Sequence, residues 1–114
     1  MVISKKPSLE IINDQVDFEP FVKDDSNKLQ YSLIPPIAEQ EMVKVLNFGA
    51  RKYSPDNWRK CENLNRYIDA ALRHISAYRM GDIKDNETSL HHLAHAMCCL
   101  SFIVDIDIEL ERQC

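Results

Sequence analysis

"NLNRYIDAALRHISAYRM", residues 63–80, is the stretch whose reading decides the fold. Leu64, Ile68, Leu72 and Ile75 recur at three- and four-residue steps, which is the period of a helix and not of a strand. Gly81 follows directly and supplies a helix stop. At about 100° per residue, Asn65, Asp69 and Arg73 fall on one side of that helix, with Arg66 nearby. That side reads in two ways: a surface salt-bridge ladder, or an acid that holds a cation while an arginine meets a phosphate. His74 stands off this stripe and reads either as a packed core histidine or as a phosphate partner and proton acceptor.

The pattern repeats on both sides. Upstream, "PIAEQEMVKVLNFGARKY" (36–53) has the same apolar spacing. Pro36 suits a first helical turn, and Gly49 interrupts or ends the regular part. "SPDNWRKCE" (54–62) is a connector. Downstream, "DIKDNET" (82–88) is a second connector, and a third helix is expected from Ser89 to Glu111, its oily side formed by Leu90, Leu93, Met97, Leu100 and Val104. Residues 1–35 hold Pro7, Pro20 and Pro35 and the polar run "KDDSNK", and read as an irregular N-terminal arm with short extended pieces. Residues 36–114 form the core. The fold class is therefore all-α: three amphipathic helices that make half of a larger bundle, with a second chain supplying the rest.

The bulk numbers restrict function. A chain of 114 residues suits one domain. A net charge of -4 and the single short basic run "GARKY" argue against a nucleic-acid partner and suit a few phosphates instead. The start carries no signal-peptide pattern, and "MCCLSFIV" is too short to cross a membrane. Cys61, Cys98, Cys99 and Cys114 lack finger-like spacing, which fits a reducing cytoplasm.

Chemistry concentrates in "DNETSLHHLAHAMCC" (85–99). His91, His95 and Cys99 are four residues apart, and His92 and His95 three apart, beside Asp82, Asp85 and Glu87. A buried helix that happens to be rich in histidine is one reading. A metal and proton-transfer cluster is the other. Histidine and cysteine suit zinc, whereas carboxylates suit magnesium or manganese, above all with phosphate ligands. Arg51 and Lys52 are either helix-end charges or phosphate ligands. Trp58 is either a packing anchor or a platform for a base, with Asn57 reading a polar edge.

Four pieces taken together, "NKLQYSLIPP", "VLNFGARKYSPDNW", "YIDAALRHISAYRMGD" and "KDNETSLHHLAHAMCCLSF", resemble the small phage and bacterial dATP/dGTP diphosphohydrolase-like proteins, within the all-alpha MazG-like nucleotide pyrophosphohydrolase group. The resemblance implies hydrolysis of a deoxypurine nucleoside triphosphate to its monophosphate and pyrophosphate in the cytoplasm (the host's, for a phage protein). Magnesium is the expected cofactor, with manganese as a substitute and zinc behind both, and the expected assembly is a homo-oligomer, dimer or tetramer. Carried over by motif, Asp69, Glu87, His92 and His95 are the catalytic candidates. Lys28, Arg51, Lys52, Asn57, Trp58, Arg73 and His74 are the substrate-binding candidates, and Glu41, Asp69, Asp82, Asp85 and Glu87 the metal candidates. The arm departs from the family's "GKLRYDLLP": Gln30 stands for an arginine and Ser32 for an aspartate. "ETS" at Glu87–Ser89 stands where the family has "ESG". The competing expectation is a noncatalytic module that binds a nucleotide or a helical partner, or a zinc-stabilised dimer.

Overall fold

The computed structural model describes residues 19–113. The chain divides between Gln30 and Tyr31. In the first unit, the Asp24 carboxylate accepts from the Ser26 amide (3.2 Å) and hydroxyl (2.8 Å), and the Lys28 amide closes a turn on the Asp25 carbonyl at 3.0 Å. The expected extended piece at residues 8–12 lies outside the described residues.

The second unit is all-α, with three main helices: α1 (Pro36–Lys52), α2 (Asn65–Arg79) and α3 (His92–Arg112). Single 3₁₀ turns occur at Tyr31–Leu33 and Asn57–Lys60. No strand occurs among the described residues, where the isolated antiparallel bridge between Lys84 and His91 is the one such pairing.

Local sequence sets each boundary. Pro36 opens α1, where a missing N–H costs nothing. Gly49 does not interrupt α1: the helix runs on to Lys52, and the Gly49 carbonyl accepts the Tyr53 amide at 2.9 Å. A lone helical glycine costs only about 1 kcal/mol against alanine, which a helix of 17 residues tolerates. Gly81 ends α2 as expected. With φ of 95° it turns left-handed, the Asp82 amide reaches back to the Ala77 carbonyl (3.0 Å), and the Gly81 amide to that of Tyr78 (3.0 Å). This paired capping satisfies two of the helix's last carbonyls and sends the chain back towards α3. The third helix starts at His92, not Ser89, because Ser89 has φ of 61°, which a helix cannot use. The His91 ring caps α3 by accepting the Leu93 amide at 3.0 Å.

α3 is the middle of the unit. α2 packs along it extensively and α1 more sparingly, while α1 and α2 scarcely touch. The buried apolar side chains are small: Ala71 on α2, and Ala94, Ala96 and Cys98 on α3. Small residues let helix backbones approach closely, so the contact gains dispersion without large side chains. The expected oily stripes behave otherwise. Leu72 is 57% exposed, Val104 56% and Leu100 44%, so much of the apolar surface read as core faces outward within one chain.

Candidate active site

The loop between α2 and α3 is closed by its own backbone. The Asp85 amide donates to the Leu90 carbonyl, the Ser89 amide to that of Asp85, and the His92 amide to that of Ile83, each at 2.8 Å. Inside it, Asp85 Oδ2 accepts three hydrogen bonds, from the amides of Glu87 (3.0 Å) and Thr88 (2.9 Å) and the hydroxyl of Thr88 (3.1 Å). Burial alone would raise the Asp85 carboxyl pKa, but the bonds from Thr88 outweigh it and hold it below the ordinary carboxylate value.

Proton positions follow from donor counting. The Thr88 hydroxyl has one hydrogen, which goes to Asp85, so it accepts from the Leu90 amide (3.1 Å) and from His95 Nε2–H (2.7 Å). His95 then keeps an unprotonated Nδ1. On the other side, Asp82 accepts from His92 Nε2–H at 3.2 Å. In the neutral ring His92 Nδ1 is then a bare acceptor, and it faces His74 Nδ1 at 2.8 Å. His74 therefore donates from Nδ1, and its Nε2 is bare. The His74 and His95 rings stack, centroids 4.6 Å apart and 9° from parallel. Burial first, and then their ring neighbours, push the pKa values of both down, so these imidazoles offer lone pairs at neutral pH.

His74, Asp85 and His92 each present a ligand atom within 4.8 Å of the others, a set that can coordinate a divalent cation. The donor chemistry fits where a cation takes the place of the hydrogen bond between His74 and His92. Two imidazoles are backed by one carboxylate, and a second carboxylate, Asp82, orients His92 from behind.

A cavity of about 680 Å³ opens beside this cluster, well within the size range of small-ligand sites. His74, Asp85, Glu87, His95 and Lys52 line one part of it. Lys52 Nζ meets Glu87 Oε2 at 2.7 Å, and this bond raises the ammonium pKa. Trp58, Tyr67, Phe102, Asn57 and Asp105 line another part. There Trp58 stacks on Phe102 (4.7 Å, 11°), Tyr67 meets Phe102 edge-on at 5.2 Å, and the Arg59 guanidinium lies over the indole at 4.3 Å. Cys98 and Cys99 also line the wall, but burial pushes both thiols up, Cys98 to about 12. Thiols held protonated are poor nucleophiles and poor metal ligands.

Of the residues expected from sequence, Lys52, Asn57, Trp58, His74, Asp85, Glu87 and His95 share this cavity, with His92 and Asp82 joined to it through His74. Four others do not line it. Glu41 pairs with Lys44 on α1 at 2.8 Å, Arg51 is exposed at the end of α1, and Asp69 and Arg73 are exposed on α2. Lys28 belongs to the unit before Tyr31. Three contributors escaped sequence reading. Thr88, the hub between Asp85 and His95, sits three residues after the aspartate, the spacing by which a carboxylate caps a turn. Phe102 and Asp105 continue the cavity-facing line of α3 one and two turns beyond Cys98 and Cys99.

Fold and site thus define a small helical module with an acid–histidine cluster beside a nucleotide-sized cavity. A family model described as the N-terminal part of dATP/dGTP diphosphohydrolase matches residues 19–113. The chain is 39% identical over 82 residues to a protein of Salmonella phage PMBT28 named dATP/dGTP diphosphohydrolase. That match takes in 72% of this chain and 28% of the relative, so the chain spans little more than a quarter of the relative's length. No solved structure gives a significant match. The chain belongs to the dATP/dGTP diphosphohydrolase N-terminal family, part of the MazG-like nucleotide pyrophosphohydrolase group.

Proposed function

We propose that this chain hydrolyses dATP or dGTP to the deoxynucleoside monophosphate and pyrophosphate with the help of a divalent cation. The observation that carries this reading is the convergence of His74, Asp85, Glu87, His95 and Lys52 in one cavity with an aromatic wall, in a chain of this family. The water oxygen bonds to the α-phosphorus, the bond from that phosphorus to the α–β bridging oxygen breaks, and pyrophosphate leaves with the bond's electron pair.

The chain's own groups divide the work. The triphosphate draws Lys52 off Glu87, so the ammonium meets phosphate and a carboxylate is freed at the same moment. Freed Glu87 accepts the proton of the attacking water. His95, neutral and bare at Nδ1, holds that water in line. Asp85, His74 and His92 would hold the cation, which supplies neutralisation of the charge building on the phosphates. Imidazole donors favour manganese or zinc, whereas magnesium arriving with the triphosphate needs only the oxygens of Asp85 and Glu87.

The apolar surface left by Leu72, Leu100 and Val104 supports a homodimer, through which Asp69 and Glu41 of a second copy would reach a cavity they do not line here. The net charge of -4 supports a partner other than nucleic acid, and a dNTP substrate supports a cytoplasmic setting. Among the described residues no helix is long and apolar enough to cross a membrane.

The test is product analysis on purified protein with each dNTP and magnesium, manganese or zinc. dNMP with pyrophosphate is expected from a deoxypurine substrate. Intact substrate under every metal, or nucleoside with triphosphate, rejects the reading. A second reading, nucleotide binding without turnover, is favoured by one observation: the matched relative has most of its length beyond the shared part. Tight dNTP binding with no product selects it.

A further inference from the structure

The far part of the cavity has a charge pattern that hydrolysis does not use. Asp105 lines the cavity on α3, ten residues after His95, which at 1.5 Å per residue is about 15 Å along the helix. A nucleotide is shorter than this between its α-phosphate and the pairing edge of its base, and the side chains of His95 and Asp105, which both line the cavity, take up the rest. Arg59 holds the carboxylate in place: NH1 donates to Asp105 Oδ2 at 3.2 Å, while its Nε pairs with Asp56 Oδ1 at 3.3 Å and its guanidinium lies over Trp58. Among the described residues, Asp105 Oδ1 has no hydrogen-bond partner. The result is a carboxylate on the cavity wall beside the aromatic rings, with one oxygen engaged by Arg59.

A carboxylate only accepts. Guanine is the DNA base with two adjacent donors on its pairing edge, N1–H and the 2-amino group. Adenine presents one amino group beside a bare ring nitrogen, which a carboxylate repels. We propose that Asp105 reads the base, and that the substrate is a guanine deoxynucleotide in preference to an adenine one. The assignment rests on the hydrolytic reading above and names the substrate of that same cavity. Arg59 is the positioning residue behind Asp105.

The experiment measures kcat/KM for dGTP, dITP and dATP on the full chain and on Asp105→Asn. dITP keeps N1–H and lacks the 2-amino group, so it tests the contact with no mutation at all. The wild type is expected to rank dGTP above dITP above dATP, with about tenfold or more between first and last. Asp105→Asn is expected to lose that preference, its dGTP value falling about tenfold or more and its dGTP-to-dATP ratio approaching one. Equal wild-type values for dGTP and dATP, or a dATP preference, overturn the assignment and leave hydrolysis standing. So does a folded Asp105→Asn whose ratio is unchanged, since a purely structural Asp105–Arg59 pair would lower all three substrates together. If Asp105→Asn does not fold, equal wild-type values for dGTP and dITP overturn it alone. A wild type that turns over no dNTP overturns both readings.

Discussion

The two ends of the cavity are built by different physics. At the acid–histidine end, orientation comes from two hydrogen-bonded chains, Asp82–His92–His74 and His95–Thr88–Asp85, joined by the stacked rings of His74 and His95. Among the described residues no buried side-chain nitrogen or oxygen lacks a partner. At the aromatic end, Trp58, Phe102 and Tyr67 are held by ring contacts, and the charges of Arg59, Asp56 and Asp105 are largely exposed. A hydrogen-bonded network restricts its members to few arrangements, whereas stacked rings with exposed ion pairs tolerate several. Chemistry needs the first property and base recognition can use the second.

The largest effect is expected where the network meets the cavity. Asp85→Asn keeps a carbonyl to accept the loop amides but removes the charge, so the fold should survive. Turnover should fall about 10³-fold, the scale of losing one charged group at a reacting phosphate. Pyrophosphate release and bound-metal content measure it, and a loss of less than tenfold would place the chemistry elsewhere. At the other end the expected cost moves from rate to stability. Trp58→Ala removes the partner of Phe102 and Arg59 and should cost roughly 2–3 kcal/mol in a urea melt, with the metal content unchanged. If that variant instead lost its metal, the two ends would be one coupled unit and the contrast between them would fail.

Acid should also separate the ends. His74 and His95 have folded pKa values below their ordinary 6.5, so between the folded value and 6.5 the unfolded chain binds more protons. Metal-free protein should therefore be flat in stability above about pH 6.5 and lose it as pH falls through that window. Asp85, lowered from 3.8, adds a second loss only in stronger acid. Thermal melts from pH 7.5 to 5 test this. A slope that persists in the His74→Gln, His95→Gln double variant would assign the acid response to other groups.

How legible was this molecule in its sequence? The helices were, because apolar spacing and the Gly81 stop are local signals. The outward face of Leu72, Leu100 and Val104 was not: periodicity marks a stripe as apolar but cannot say whether the same chain covers it. Here Ala71, Ala94, Ala96 and Cys98 make the contact instead. At the site, the clustering of histidine with Asp82 and Asp85 was visible, and the division of labour among them was not. Which ring nitrogen is bare depends on Thr88 and on the turn at Ser89, both tertiary facts. Asp69 and Glu41 show the converse case, with suggestive helical spacing and no place in this cavity.

The smallest expected effects come from two single positions. Gly49 lines the cavity inside α1, and a Cβ there meets nothing within 4 Å. Gly49→Ala should stabilise the helix by about 0.5–1 kcal/mol, and the added methyl should weaken nucleotide binding if the cavity takes one. A higher melting temperature with unchanged affinity would move the ligand away from α1. Ser89 has φ of 61° where the resembling family has glycine. A left-handed residue with a Cβ costs about 1 kcal/mol or more, while glycine adds entropy to the unfolded chain, and the two partly cancel. Ser89→Gly should therefore gain only a few tenths of a kcal/mol. Its effect on turnover should be near nil, because Asp85 accepts from Glu87 and Thr88 and not from the Ser89 side chain. A marked change in rate from this substitution would mean that the strain at Ser89 helps to aim Thr88 at His95, and that the acid–histidine end is less self-sufficient than its hydrogen bonds imply.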